Sequence, residues 1–446
     1  MPAAPNPDRA GDAISPEFRV AIIGGGITGI NLALGLQARN IPFTIYERAP
    51  GFREIGAGIG FSPNAERAMA GLDPSVLKSY KRAANPNGED YFQWDNGRNP
   101  SGQLLYKLYV GRNGFQGGLR SDILEEWARQ LLDTDPSSPP VQFGRQLDTI
   151  ATDDTTGGLT LHFTDGTTAT ASVVIGCDGI RSRVRQLLLG EDNPAAHPHY
   201  TSKFCFRALL PMEQAVSAVG EYKCSTRFMH NGPNQHVITY PVGANRFLNV
   251  LVVMSDDKPW PDKTKHTAAG SSTEMTEAFK EWGPTVRGIV GLMPEKMDKW
   301  AIFDMLDHPA PKYYEGAICV AGDAAHATGP HLGAGGGLGI EDALVLAELM
   351  QAVAKVYDDD GVQGRRATVE RALAAYNAVR YDRTQAVVRA TRKACLLFHW
   401  QVAEVGDDGE KFGKAITPMF HKVWEYDVEG MVKDAVGQFL GKAGSG

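Results

Sequence analysis

One stretch, Arg19–Glu47, constrains the fold of this 446-residue chain more than any other. It reads RVAIIGGGITGINLALGLQARNIPFTIYE: a β-branched run to Ile23, a glycine cluster, apolar residues at helical spacing over Ile27–Leu36, then a second strand, Phe43–Glu47, ending in an acid. Gly24, Gly26 and Gly29 fill the slots of G-x-G-x-x-G. The first permits a tight turn, the second lets backbone N–H groups approach a pyrophosphate at the helix N-terminus, and the third lets helix and strand pack closely. Glu47 follows at about the 20-residue spacing at which a carboxylate accepts hydrogen bonds from a ribose diol. The pattern predicts an ADP-containing dinucleotide and does not distinguish FAD from NAD(P).

The bulk properties narrow the alternatives. Net charge is −7 with no block of Lys or Arg, which argues against nucleic acid or an anionic membrane as partner. Cys177, Cys205, Cys224, Cys319 and Cys395 are scattered and form no C-x-x-C or Cys/His ligand pattern, so they read as free thiols in a reducing compartment, with no metal site. Residues 1–16 are rich in Ala, Pro, Asp and Gly and lack an apolar h-region; a disordered arm is expected there. No run reaches the ~18 apolar residues of a membrane span. A cytoplasmic protein is expected.

Downstream of Glu47, the loop Arg53–Gly60 is too glycine-rich for a helix and suits close approach of backbone to a flat ligand. A helix capped by Ser62 follows, then strands at Tyr91–Trp94 and Leu104–Val110. Asp122 is the expected N-cap of an amphipathic helix, Ile123–Leu132, with Arg120 just outside it. Leu147–Ala151, Leu159–Phe163 and Thr168–Ile175 alternate as strands, the last opening into Gly176-Cys-Asp-Gly-Ile-Arg-Ser-Arg-Val-Arg185, a second dinucleotide-type turn. Lys203–Leu210, Thr226–His230, His236–Val242 and Phe247–Met254 read as an inserted antiparallel sheet, Asp256–Lys263 as a linker, and Thr264–Gly283 as a polar helical segment. Ala317–Ala321 is a buried strand breaking at Gly322-Asp-Ala-Ala-His. Helices are expected over Ala343–Tyr357, Arg365–Gln385 and on to Gly441.

Three motifs, GGGITG at 24–29, CDGIRSRVR at 177–185 and GDAAHATGPHLGAG at 322–335, resemble those of the single-component (group A) FAD-dependent aromatic monooxygenases. The likeness spans about Arg19 to Asp342. It implies an α/β fold: a Rossmann-type FAD-binding domain (17–190 and 301–375), an inserted, mostly antiparallel β-sheet substrate domain (191–300) and a helical C-terminal region (376–446). It also implies roles. Glu47 would hold the adenosine ribose, Arg120 the FAD diphosphate and ribityl region, Asp178 both FAD and the pyridine nucleotide, and Asp323 the ribityl chain. Backbone N–H groups of Gly333, Gly335 and Gly336 would face the isoalloxazine, where a helix N-terminus stabilises negative charge. From the residues alone, Arg120 reads equally as a surface arginine and Asp323 equally as a helix N-cap.

FREIGAG at 52–58, FCFRAL at 204–209, HVITYPV at 236–242 and HKVWEYD at 421–427 resemble the salicylate-hydroxylase-like branch, and within it fungal enzymes that oxidatively dearomatise resorcinol-type polyketides. By that likeness Arg207 and Tyr240 would fix a substrate phenolate. Alternation along Phe204–Leu210 puts Arg207 on an apolar face with Cys205 and Leu209, where an uncompensated buried guanidinium would call for an anionic ligand; an internal ion pair or a route to water would serve as well. Tyr240 reads equally as a core tyrosine, His331 as a proton relay, a substrate contact or a structural loop residue, and His326 as a packing residue. Leu332 and Gly336 depart from the residues common in relatives, and both lie near the expected ring.

The family chemistry implied is oxygen transfer to a phenol from a flavin C4a-hydroperoxide formed with O₂ and NAD(P)H, NADPH being favoured. Decarboxylative hydroxylation of salicylate is the alternative using the same oxidant. A flavin-free NAD-dependent dehydrogenase and a flavin-binding protein without oxygenase activity are the alternatives of other classes. Nothing in the pattern sets an oligomeric state.

Overall fold

A computed structural model of the protein describes residues 17–52, 58–112, 114–132, 140–153, 157–262, 265–357 and 361–441. The expected arm at 1–16 and residues 53–57 of the glycine-rich loop lie outside them.

Val20–Ile23 is buried at every position and sits inside a six-stranded sheet. Its order is Tyr314–Glu315, Ile318–Val320, Val173–Gly176, Val20–Ile23, Phe43–Glu47, Val141–Phe143, parallel except at the Tyr314–Glu315 edge. Such β-branched, two-sided burial is what a parallel sheet covered by helices requires. Ile23 pairs with Gly176, and Gly176 with Val320. All three motifs therefore open from the carboxyl ends of adjacent parallel strands, the edge at which open α/β sheets bind ligands.

Glycine contacts hold these openings together. A Cβ at Gly29 would lie 2.0 Å from the Gly24 carbonyl oxygen, so only glycine lets the helix Ile27–Ala38 settle onto its own turn. A Cβ at Gly339 would lie 2.2 Å from Thr28 Oγ1, which brings the helix Gly335–Val356 against Ile27–Ala38.

A second sheet has eight strands, in the order Thr267–Ser271, Lys296–Asp304, His199–Pro211, Phe247–Ser255, Gln235–Val242, Phe228–Gly232, Tyr91–Asn96, Leu104–Tyr109. It is antiparallel except where Phe228–Gly232 meets Tyr91–Asn96. One face packs Phe206, Val237, Val250 and Val252 against Met275 and Val286 of short helices. The opposite face packs Trp94, Met229 and Ile238 against Leu332, Leu338, Val387 and Phe420, which joins it to the third motif and the C-terminal helices Gly361–Phe398 and Gly409–Trp424.

Several local expectations change. Thr168–Ile175 is two strands, Thr168–Ala171 and Val173–Gly176, in different sheets. They part at Ser172, whose Oγ accepts from the Arg19 N–H at 3.1 Å and whose own N–H donates to the Arg19 carbonyl at 2.9 Å. The helix at 120 begins at Arg120, and Asp122 lies within its first turn rather than capping it. Ser62 stands at the N-cap position of Pro63–Leu72, but its hydroxyl donates to Asn64 Oδ1 (2.7 Å) instead of capping. In the segment expected to be a polar helix, Thr267–Ser271 is a strand at the edge of the eight-stranded sheet, paired with Lys296–Asp304, and the helix is only Ser272–Ala278. The glycine run at 335–337 is the start of a helix expected to begin at Ala343. All five cysteines are buried and free. Among the described residues no helix is long and apolar enough to cross a membrane.

Candidate active site

A cavity of about 570 Å³ opens at the carboxyl edge of the parallel sheet, lined by Gly24, Gly25, Gly26, Glu47, Arg120, Asp178 and Arg181 among others. Its volume is that of a small-molecule or cofactor site. Gly24 has φ +100°, and a Cβ at Gly26 would meet nothing within 4 Å, so backbone is presented bare to the space. Glu47 Oε2 accepts from the Gly25 N–H at 2.7 Å and Oε1 from the Ala49 N–H at 2.8 Å. These bonds lock the carboxylate beside the turn and leave it lone pairs for a diol.

Asp178 lines the same cavity, but its carboxylate is committed to its own chain. Oδ1 accepts from Ser182, and Oδ2 from the N–H groups of Arg183 (2.7 Å) and Val184 (3.1 Å), fastening the helix Arg183–Leu189. Arg185, fully buried, joins the second motif to the third: Nη1 donates to the carbonyls of Ala324 (3.0 Å) and Ala325 (2.7 Å). Sequence reading missed it, because an arginine in an Arg-rich turn looks like a surface residue.

Asp323 opens the short helix Asp323–His326 and does not cap it; the N-cap is Gly322. Its carboxylate faces open space while crowded by protein. Burial raises its pKa, and His326 and Arg120 act against that. Arg120 is pushed down to about 10 by burial, with Asp323 raising it and Arg207 lowering it. A Cβ on Gly335 would lie 3.8 Å from Asp323 Oδ1, and one on Gly336 3.0 Å from the Phe61 ring. Gly333, at φ +62°, turns the chain into that helix. A Cβ on Gly58 would lie 2.9 Å from the Tyr240 hydroxyl, and the Gly58 N–H donates to Asn249 Oδ1 at 2.9 Å. The nucleotide cavity, the third motif, the strand Gly58–Phe61 and the eight-stranded sheet thus meet in sequence. Gly60 does not share in this: its missing side chain makes room for Phe115, 2.1 Å from where a Cβ would be.

On the sheet, cross-strand pairing arranges the facing side chains in rows. Trp94, Met229, Ile238, Leu251 and Arg207 form one; Tyr240, Asn249 and Leu209 belong to the next. Arg207 is on the expected face, but it is exposed, not buried, and stacks on Trp300 at 4.1 Å. Keeping its head in open space spares the guanidinium the desolvation cost that the alternation implied. The buried cation is a different one. Arg227, 6% exposed, lies over Phe92 (3.8 Å), and its Nη1 has no hydrogen-bond partner among the described residues. Burial pushes it down to about 9, against the influence of Tyr240. Burial also raises the Tyr240 hydroxyl, with Arg227 and Arg207 both acting to lower it. Nothing in the local letters marks Arg227; its position comes from pairing.

A buried ionic clamp holds the third motif in place. Arg380 binds Asp342 Oδ1 and Glu341 Oε2, each at 2.6 Å, and Arg383 binds Glu341 Oε1 at 3.0 Å. Asp342 Oδ2 accepts from the Gly322 N–H at 2.8 Å and meets His326 Nε2 at 2.6 Å, so His326 is a polar anchor rather than simple packing. Burial works to raise the Asp342 carboxyl, and His326 and Arg380 overcome it and hold it below the usual range.

This arrangement has known counterparts. Residues 121–391 match the family described as the FAD binding domain. The FAD-dependent monooxygenase orf3 of Aspergillus niger is 49% identical over 434 residues, 95% of this chain and 97% of that protein. The chain belongs to the FAD-dependent monooxygenases. Another relative of this monooxygenase, the salicylate hydroxylase asL1 of Sarocladium schorii, is 38% identical, covering 94% of this chain and 91% of its own. A solved structure titled salicylate hydroxylase substrate complex superposes with a TM-score of 0.80 at 27% identity, over 94% of this chain and 98% of the other. The monooxygenase is thus an FAD-binding hydroxylase of the salicylate-hydroxylase type, and the bare glycine turn, Glu47 and the cavity beside them fit the nucleotide part of FAD.

Proposed function

We propose that this monooxygenase hydroxylates a phenol held against the eight-stranded sheet between Arg207, Arg227 and Tyr240, and that its substrate is an acylated, resorcinol-type phenol that is oxidatively dearomatised. The observation that carries the reading is Tyr240 under the influence of two guanidinium groups, on the sheet face that meets Gly58 and the third motif. Bound FAD, reduced by NADPH, would supply an activated oxygen of electrophilic character, which favours an electron-rich ring. The protein's part is orientation and charge. Tyr240, kept protonated by burial, donates a hydrogen bond to the phenolate oxygen, and Arg207 supplies the positive charge that favours the ionised phenol. Ile238, Leu251, Leu332 and Leu338 exclude water around the ring. Glu47, Arg120 and Asp323 would hold the ribose, diphosphate and ribityl parts, and the helix start at Gly335–Gly336 would face the flavin ring.

Decarboxylative hydroxylation of a salicylate is the second reading. Two arginines beside one tyrosine suit a substrate carrying both a carboxylate and a phenolate, and two similar proteins bear the salicylate hydroxylase name. The FAD-loaded protein is to be offered NADPH or NADH with acylated resorcinols, salicylates and simple phenols, followed by product mass. Gain of one oxygen with an acylated resorcinol supports dearomatisation, and gain of oxygen with loss of carbon dioxide from salicylate replaces it. Nicotinamide oxidation that no phenol stimulates would remove both.

A further inference from the structure

Three side chains from separate elements bring their donor atoms together beside the eight-stranded sheet. His236 comes from the strand Gln235–Val242, His331 from the loop between Asp323–His326 and Gly335–Val356, and Cys395 from the helix Gly361–Phe398. One ring nitrogen of each histidine and Cys395 Sγ all lie within 4.8 Å of one another, and the three residues are 0%, 3% and 1% exposed. Two nitrogens of this group have nothing to bond: His236 Nε2 and His331 Nδ1 are buried without a hydrogen-bond partner among the described residues. Buried polar atoms left bare cost stability, and a ligand shared between them removes that cost. No metal-ligand spacing in the sequence announces the cluster, because its members lie far apart along the chain.

We propose that His236, His331 and Cys395 bind one zinc ion. Imidazole and thiolate are ligands that zinc takes, at about 2.0–2.1 Å to nitrogen and about 2.3 Å to sulfur. Tetrahedral angles then set the donors roughly 3.3–3.7 Å apart, a modest closing-in from their present spacing. The residues behind the cluster orient it. His236 Nδ1 lies 2.8 Å from His399 Nε2, and His399 Nδ1 lies 3.0 Å from Ser255 Oγ. With each ring donating through Nδ1, the lone pair of His236 sits on Nε2, the atom without a partner, and a ligating histidine is characteristically held in this way by a hydrogen bond from its other nitrogen. Both ligand rings are neutral. Burial, then His399, His331, Lys203 and Arg227, keeps His236 well below its ordinary pKa, and burial, then Lys203, lowers His331 to about 3. Burial pushes the Cys395 thiol up to about 12, with Lys203 acting against it. As the bond from sulfur to zinc forms, the S–H bond breaks, its electron pair stays on sulfur and its proton leaves to water; no electron changes hands. The thiolate halves the charge that zinc brings beside Lys203 and Arg227, and a three-residue set leaves the fourth position of the ion to water. Bound there, the ion ties the loop of the third motif to the sheet and to the long helix.

The test uses the full-length, FAD-loaded protein produced in zinc-supplemented medium and then desalted. Metal analysis is expected to find one zinc per chain, and X-ray absorption at the zinc edge one sulfur neighbour at about 2.3 Å with nitrogen neighbours at about 2.0 Å. Cobalt supplied in place of zinc should give the visible bands of a tetrahedral thiolate site, at wavelengths beyond the absorption of oxidised flavin. Cys395→Ala is expected to lose both the zinc and the cobalt bands, whereas Cys224→Ala, at a buried thiol on the opposite face of the sheet, keeps them. His399→Leu should weaken zinc binding about 10–100-fold in competition with a chelator, the scale for a residue that orients a ligand. Wild-type protein that retains no zinc, a zinc shell without sulfur, or a Cys395→Ala variant that binds zinc as the wild type does would overturn the site. Should Cys395→Ala fail to fold, the sulfur neighbour in the wild-type absorption spectrum decides.

Discussion

Arg227 and Tyr240 stand opposite each other, one step beyond the paired residues Phe228 and Thr239, with the guanidinium 3.8 Å above the Phe92 ring. A buried cation lying over a ring, its Nη1 without a hydrogen-bond partner among the described residues, costs the unliganded fold stability and favours an anion placed beside it.

Arg227→Met should therefore stabilise the ligand-free protein, on the order of 1–4 kcal/mol by analogy with other buried ionic groups exchanged for apolar ones, while raising the pKa of a bound phenol. Thermal unfolding without substrate and an absorbance titration with it check the two halves. A lower melting temperature would show that the guanidinium has an anionic partner of its own.

Arg207→Ala and Tyr240→Phe should leave flavin content unchanged and cut oxygenated product on the order of a hundredfold, the usual cost of removing one positioned donor at a developing anion. Product quantification against nicotinamide consumption measures this. Normal product yield from either variant would end the anchoring assignment for that residue.

Asp323→Ala should reduce the fraction of purified protein carrying FAD, because the carboxylate faces open space next to Gly335 with Arg120 beside it. The ratio of flavin to protein absorbance reports occupancy. Full occupancy would contradict a role at the ribityl chain.

Arg380→Met should cost about 3–5 kcal/mol at neutral pH, since it leaves Glu341 and Asp342 buried without their principal cation. The pH dependence follows from Asp342. Its carboxyl is held below the usual range in the folded protein, so its contribution is present above the unfolded pKa of about 3.9 and is lost as pH falls through the folded value. Denaturant titrations below about pH 4 should show wild-type stability falling more steeply than that of the variant.

Gly339→Ala should destabilise by about 1–3 kcal/mol through overpacking, because the added methyl meets Thr28 Oγ1 at 2.2 Å. Combining it with Thr28→Ala should recover most of the loss. A double-mutant cycle showing additive effects would mean that the two helices adjust independently.

The parts legible in the sequence are those written in local letters. Gly24, Gly26 and Gly29 announce a turn by composition and Glu47 by spacing, and the convergence of the three motifs follows because each ends a buried strand of one parallel sheet. What escaped was decided by partners far along the chain. Ser172 splits a continuous-looking strand only because Arg19 binds it from another part of the protein. Thr267–Ser271 becomes a strand because Lys296–Asp304 offers it an edge. Arg207 and Arg227 have similar apolar neighbours in sequence and both stack on a ring from another strand, Trp300 and Phe92, yet one is exposed and the other buried, which no local letter reveals. The contact between His236 Nδ1 and His399 Nε2 was invisible for the same reason: the two residues are separated by 163 positions.

The helix Gly361–Phe398 is 38 residues long, about 57 Å at the α-helical rise. Near its middle Arg380 and Arg383 grip the segment that follows the glycine-rich turn, and near its far end Cys395 Sγ lies 3.9 Å from Nε2 of His399, the residue just past the helix, which meets His236 of the eight-stranded sheet at 2.8 Å. One rod therefore joins both places, and a tilt that changed the grip at its middle would also shift the contact with the sheet at its end. Substitutions that bend this rod, even at positions touching neither place, would be felt in the seating of the third motif and of the eight-stranded sheet together.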